Sequence, residues 1–147
     1  MKKKIVWGIV AVFVLIQLYR PEKNQSTVIP DTDIIKTINP PTEIANMLKV
    51  ACYDCHSNHT EGYLWYAEIA PVSWWLAFHV NEGKKHLNFS EWTTYNQKKQ
   101  NHKLEECSET IESGEMPLKP YVWTHPKADL SEKEKELLMD WFKAQKK

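Results

Sequence analysis

The sequence lacks the features of several common protein classes. No segment alternates apolar and polar residues as a half-buried strand would, and no internal repeat is visible, so neither a sheet nor a repeat fold is expected. The net charge is zero, and residues 21–147 carry 15 basic and 19 acidic side chains. A domain with an excess of negative charge lacks the basic surface that nucleic-acid-binding proteins need, so a nucleic-acid partner is excluded.

Cysteine is scarce, with only three in the chain. Two of them belong to the string Cys52-Tyr53-Asp54-Cys55-His56. This C-x-x-C-H motif is typical of covalent c-type haem attachment. Two thiols add to the vinyl groups of one porphyrin, and the adjacent imidazole binds the iron. The motif therefore predicts one covalent haem c, attached at Cys52 and Cys55, with His56 as the proximal iron ligand.

Three alternatives to haem attachment fit the motif less well. A thioredoxin-like redox pair requires a preceding strand, whereas the residues before Cys52 have a helical pattern. A structural zinc site requires four ligands, and Cys107 is the one further cysteine. A disulfide would leave His56 unexplained. Cys107 lies between Leu104 and Ile111 on a helical stripe, which favours a buried inert thiol over an intermolecular disulfide.

The first 20 residues have the pattern of a signal-anchor. Residues 2–4 are lysines, residues 5–19 carry no charge, and Arg20 follows. No small-residue cleavage site is present, so the sequence predicts a retained membrane helix with the lysines in the cytoplasm and the rest of the chain exported. The expected location is the inner membrane, with the haem domain in the periplasm, or the periplasm alone if the segment is cleaved.

The remaining residues predict a tether and one domain. Residues 21–40 contain three prolines and no helical period, which indicates an extended tether. Residues 41–147 suffice for one small core. Helical spacing of apolar residues predicts helices over 44–52, 72–83, 104–114 and 131–142. We expect Gly83 and Gly114 to end the second and third of these helices. We expect Ser131 and Glu134 to form a capping box at the start of the fourth.

The sixth iron ligand decides between possible functions. Met116 lies in a Gly-Glu-Met-Pro loop, where its thioether could bind the iron and raise the reduction potential, or else fill a gap in the core. His79, on an apolar helical stripe, is the alternative ligand, unless it is an ordinary core histidine. His125 is a weaker candidate in a loop near Met116. The histidines expected in solvent are His59, His86 and His102.

Four segments together resemble a known family. They are residues 52–56, 70–74, 79–92 and 114–117. These segments are similar to the exported bacterial monohaem haem-binding domain family and, more broadly, to class I cytochromes c. The resemblance implies Met116 as the distal ligand. It also implies that the carbonyl of Pro71 accepts a hydrogen bond from the proximal histidine.

The features combine into a prediction of fold and function. The predicted fold is a small all-α, cytochrome c-like domain around one haem, preceded by the membrane helix and the tether. The predicted function is outer-sphere electron transfer to redox partner proteins, which needs no catalytic acid, base or nucleophile, so an enzyme is not expected. Two alternatives remain open. A haem-based sensor or ligand-binding module would have an open or weak sixth site, and a haem peroxidase would need an acid/base residue such as His79.

Overall fold

The computed structural model describes all 147 residues, and every regular element in it is helical. The eight α-helices are α1 (Lys2–Ile16), α2 (Ile34–Ile38), α3 (Thr42–Ala51), α4 (Tyr53–His56), α5 (Val72–His86), α6 (Gln97–Glu112), α7 (Lys119–Thr124) and α8 (Glu132–Ala144). Three 3-10 segments cover Trp65–Glu68, Phe89–Thr94 and Pro126–Ala128. The chain has no strand, and an isolated antiparallel bridge pairs Gln25 with His59. The prediction of an all-α fold is confirmed.

The hydrophobic core is formed mainly by α3, α6 and α8, and α6 packs most extensively against α8. The largest fully buried apolar side chains are Phe89, Phe142, Ile34, Leu48, Leu104 and Leu138. Burial of a side chain of this size contributes about 1.5–3 kcal/mol. The apolar stripes predicted from helical spacing therefore supply most of the core.

The start of α8 satisfies its own backbone donors. The Ser131 hydroxyl accepts the Glu134 N–H at 3.4 Å, and the Glu134 carboxylate accepts the Ser131 N–H at 2.7 Å. These reciprocal bonds form a capping box. The predicted capping box is present, and it fixes the point from which α8 delivers Leu138 and Phe142 to the core.

Gly83 has a different role from the one predicted. α5 does not stop there and continues to His86. A Cβ atom at Gly83 would lie 2.6 Å from the Cys55 carbonyl oxygen and 3.3 Å from the Cys55 Cβ. Because only glycine leaves room for this approach, α5 packs directly against the C-x-x-C-H motif.

The N-terminal segment differs from the expectation of a membrane helix. No helix in the structure combines the length and the hydrophobicity needed to cross a membrane. α1 has 15 residues. At 1.5 Å per residue it covers about 22 Å, less than the roughly 30 Å hydrocarbon core of a bilayer. The prediction of an N-terminal membrane helix is therefore wrong.

The expected tether, residues 21–40, is not extended throughout. Ile34 is fully buried and belongs to the hydrophobic core. Asp33 is also buried, caps the N-terminus of α2, and accepts the Tyr53 hydroxyl at 2.7 Å. The structure differs from the prediction because Ile34 packs into the core and the Asp33 carboxylate bonds Tyr53 of the C-x-x-C-H motif. These two contacts hold the short helix α2 in place.

Candidate functional site

A large cavity lies between α5 and α6, with the C-x-x-C-H motif in its wall. Its volume is about 410 Å³, within the range of cofactor sites. Positions three or four residues apart on α5 and α6 face it: His79, Glu82, Gly83 and His86, and Lys103, Glu106, Cys107 and Thr110. Hydrophobic residues complete much of the wall, among them Leu87, Phe89, Ile111, Leu130, Leu138 and Phe142. A largely apolar cleft between two helices suits a flat hydrophobic group.

Most of the predicted site residues meet at this cavity. Its wall includes Cys52, Cys55, His56, His79 and Met116. They come from the turn between α3 and α4, from α4, from α5 and from the loop after α6. The fold thus brings both thiols of the motif, His56 and two further candidate ligands to a single cavity, and this set of donors suits a haem.

His56 is oriented by a backbone carbonyl. Its Nδ1 lies 3.1 Å from the Leu87 carbonyl oxygen. With Nδ1 as the donor, Nε2 keeps its lone pair for a metal. Burial lowers the pKa of His56, and the hydrogen bond to Leu87 opposes that shift. A neutral imidazole with a fixed tautomer is the form that binds iron.

The carbonyl that bonds His56 belongs to Leu87, and the prediction of Pro71 in this role is wrong. The Pro71 carbonyl accepts the N–H groups of Trp74 and Trp75 at 3.1 and 3.2 Å, in the first turn of α5. Pro71 is not among the cavity residues. No sequence signal identifies Leu87, because every residue type has a backbone carbonyl.

The thiols of the motif are free and protonated. Burial, with the neighbouring Cys55, raises the pKa of Cys52 to about 12, and burial, with the Asp54 charge, raises the pKa of Cys55 to about 11. Cys107 also lines the cavity as a half-buried free thiol, and burial raises its pKa as well. No three His, Cys, Asp or Glu side chains form a metal-binding group.

Two side chains are placed to be a second iron ligand. Met116 is half-buried, and its N–H donates to the Thr110 carbonyl at 3.0 Å, which folds its loop onto the end of α6. His79 is also half-buried, with Nδ1 2.9 Å from the Trp75 carbonyl and its ring centroid 4.1 Å from that of Trp75. Both residues face the cavity, so the geometry leaves both available.

Sequence reasoning missed Tyr121 and Asp54, which also line the cavity. The Tyr121 hydroxyl donates to Asp54 Oδ2 at 3.0 Å, and the Val50 carbonyl lies 3.1 Å away. The position of Asp54 inside the motif could have marked it as a candidate. Tyr121 has no such signal, because its partner is distant along the chain and α7 is too short for a helical period.

The other histidines are outside the centre of the cavity. His125 does not line it; the ring stacks on Tyr121 at 4.2 Å between centroids, and its Nε2 is buried without a partner. His86 is exposed but forms part of the cavity rim. His102 lies 3.1 Å from Glu106 on the surface of α6. None of them competes in position with Met116 or His79.

The helical fold and the apolar cavity define a small domain suited to a haem group. The sequence profile of a family described as the haem-binding domain matches residues 11–144. Because the match spans most of the chain, the protein belongs to the haem-binding domain family and is a haem protein. No curated protein and no solved structure matches the chain. The family resemblance predicted from the sequence is confirmed.

Proposed function

We propose that the protein is a monohaem c-type cytochrome that transfers electrons between partner proteins. The observation that carries this proposal is the convergence of Cys52, Cys55, His56 and Met116 on one largely hydrophobic cavity. Cys52 and Cys55 form the thioether links, His56 is the proximal ligand and Met116 is the distal ligand. When bound, haem supplies an iron centre that gains or loses one electron without bond changes in a substrate.

The surrounding residues tune this centre. The Leu87 carbonyl holds the His56 ring, which fixes its tautomer and increases its basicity as a ligand. Phe89, Leu138 and Phe142 are almost fully buried in the cavity wall and exclude water. A thioether ligand and a dry surrounding both raise the reduction potential, which suits an electron carrier. Lys103, the one lysine of the cavity wall, is paired with Glu106 at 2.5 Å and would exchange this partner for a haem propionate.

His79 is the second candidate for the distal ligand. Its Nδ1 bond to the Trp75 carbonyl repeats the arrangement at His56 and leaves Nε2 without a partner. Ligation by two histidines would lower the reduction potential relative to histidine and methionine. We favour Met116 because its loop folds back onto the end of α6 in the cavity wall, whereas the His79 ring packs against Trp75 on its own helix.

The test is to produce the chain in cells with a cytochrome maturation system. The purified protein should gain the mass of one haem, and its oxidised form should show the weak near-infrared band of methionine ligation. Met116→Ala should abolish the band. Met139→Ala, which alters a methionine packed on the core away from the cavity, should keep it.

Three outcomes would contradict parts of the proposal. A colourless protein at the apoprotein mass would contradict haem attachment. Persistence of the band in Met116→Ala, with loss of the low-spin spectrum in His79→Ala, would assign the distal position to His79. Ready binding of carbon monoxide to the reduced wild type would indicate an open sixth site, as in a sensor or a peroxidase.

We also propose that the domain works on the exported side of the membrane with a basic partner. Three lysines followed by 15 uncharged residues have the composition of an export signal. Residues 21–147 carry an excess of acidic side chains, which favours a basic docking surface. Cell fractionation should find the haem-bearing chain outside the cytoplasm, and removal of residues 1–20 should leave colourless apoprotein inside it.

A further inference from the structure

The loop that carries Met116 has few bonds of its own. The Met116 N–H donates to Thr110, and the Gly114 N–H donates to Ile111 at 3.1 Å. Pro117 has no N–H to donate, and Glu115 is exposed. Gly114 has a φ of +73° with open space around it, so it turns the chain without making a contact. The position of Met116 therefore depends on how the following segment is anchored.

Residues 117–130 are anchored by one polar side chain. The Tyr121 hydroxyl lies 3.0 Å from Asp54 Oδ2 in α4 and 3.1 Å from the Val50 carbonyl in α3. No other hydrogen bond or ion pair joins residues 117–130 to a different part of the chain, apart from the local bonds around their own turns. Ala128 and Leu130 anchor the far end of this segment by apolar burial. Tyr121 is therefore the polar tie nearest to Met116.

Both partners of this bond are held in place. Asp54 Oδ1 accepts the Glu61 N–H at 3.0 Å, which orients the carboxylate. The Tyr121 ring is stacked on His125, with the planes 16° apart. Burial and the Asp54 charge raise the pKa of Tyr121, so the hydroxyl stays a donor at any working pH. A hydrogen bond to a charged acceptor changes an equilibrium by about tenfold or more when it is lost.

We infer that Tyr121 is a positioning residue that holds the Met116 loop against the C-x-x-C-H motif by bonding Asp54. The inference rests on the proposed function, because it requires Met116 to be the distal ligand. Tyr121 joins the helix that follows Met116 to Asp54, one of the two residues between the haem-linking cysteines. Loss of the bond frees the loop to move away from the iron while the covalent links and His56 hold the haem in place.

The test compares Tyr121→Phe with a matched variant on the His56 side. Tyr121→Phe should keep one covalent haem, weaken the near-infrared methionine band and raise carbon monoxide binding to the reduced protein about tenfold. Tyr95→Phe removes a hydroxyl that accepts the Asn88 N–H at 3.0 Å, next to Leu87. This control should lose thermal stability to a similar degree but keep the band and the weak carbon monoxide binding.

A second variant covers the case in which Tyr121→Phe does not fold. Asp54→Asn keeps an acceptor oxygen but removes its charge, so it should raise carbon monoxide binding a few-fold in the same direction. The inference is overturned if carbon monoxide binding is unchanged in Tyr121→Phe and Asp54→Asn, or in whichever of the two folds. It is also overturned if carbon monoxide binding rises equally in Tyr95→Phe. Both results leave Met116 ligation standing. A wild type without the methionine band would instead contradict the proposed ligand, and the inference with it.

Discussion

The wall of the cavity that carries His56 and the wall that carries Met116 differ in how firmly the chain holds them. On the His56 side, Leu87 bonds the ring, Gly83 allows α5 to touch Cys55, and Phe89 is 1% exposed. On the other side, the half-buried Met116 belongs to a short loop, and its N–H donates to the Thr110 carbonyl near the end of α6. The firm wall fixes His56, the proposed proximal ligand, and the looser wall carries Met116, the proposed sixth ligand.

The two residues between the motif cysteines bond to different parts of the chain. The Tyr53 hydroxyl donates to the buried Asp33, and its ring stacks on Phe89 at 5.7 Å. Asp54 accepts a hydrogen bond from the Tyr121 hydroxyl in α7. Tyr53 therefore ties the C-x-x-C-H motif to the core, and Asp54 ties it to the segment that follows Met116. Each of these two residues thus has a structural role of its own.

The largest expected effect comes from filling the space at Gly83. Gly83→Ala places a methyl group 2.6 Å from the Cys55 carbonyl, so α5 and the motif must separate, at a cost of about 1–3 kcal/mol in the free energy of unfolding. Denaturant unfolding should show this loss, and the yield of haem-loaded protein should fall. In Gly62→Ala, the control, the added Cβ meets its nearest atoms at 3.8 Å. Equal stability of the two variants would show that the His56 wall is not closely packed.

A smaller effect is expected from pH, through His56 in the apoprotein. Burial lowers the folded-state pKa of His56 below its ordinary value of 6.5. The unfolded chain then binds a proton that the folded chain does not, so the free energy of unfolding falls as pH decreases below about 6.5. A tenfold difference in proton affinity between the folded and unfolded chains corresponds to about 1.4 kcal/mol. Unfolding measured across this range should show the slope.

The two walls should respond differently to this measurement. His56→Gln removes the titrating ring, so the apoprotein of this variant should lose part of the slope below pH 6.5. Met116→Gln changes a residue without a titrating group and should leave the slope as it is in the wild type. An unchanged slope in His56→Gln would mean that the imidazole is hydrated in the folded apoprotein and is not held by the wall.

The sequence was sufficient to predict the features that repeat along a helix. Apolar spacing identified the long helices α3, α5, α6 and α8, and the Ser131 pattern identified the start of α8. The helices α2, α4 and α7 have four to six residues, too few to show a helical period. The helix stop predicted at Gly83 is wrong because a glycine in a helix marks either an end or a close contact, and only the fold distinguishes them.

The site was predictable as far as its chemistry is encoded in residue type and spacing. The thiols and His56 form a local motif, and Met116 stood out by its loop. The Leu87 carbonyl and the Tyr121 hydroxyl act through contacts between distant segments, so no local pattern contains them. The N-terminal segment was predicted to span a membrane from its charge pattern, but its helix of 15 residues is too short.

The smallest expected effect comes from His79 on α5, which tests whether the firmly held helix supplies the second ligand in place of the Met116 loop. Its Nδ1 is bonded only to its own helix, at Trp75, and the side chain is half-buried. His79→Gln should therefore change the free energy of unfolding by no more than about 0.5 kcal/mol. The reduction potential, followed by spectroscopic titration, should stay at the wild-type value. A marked shift in potential would mean that His79, and not the methionine loop, completes the iron site, and the looser wall would then carry no ligand.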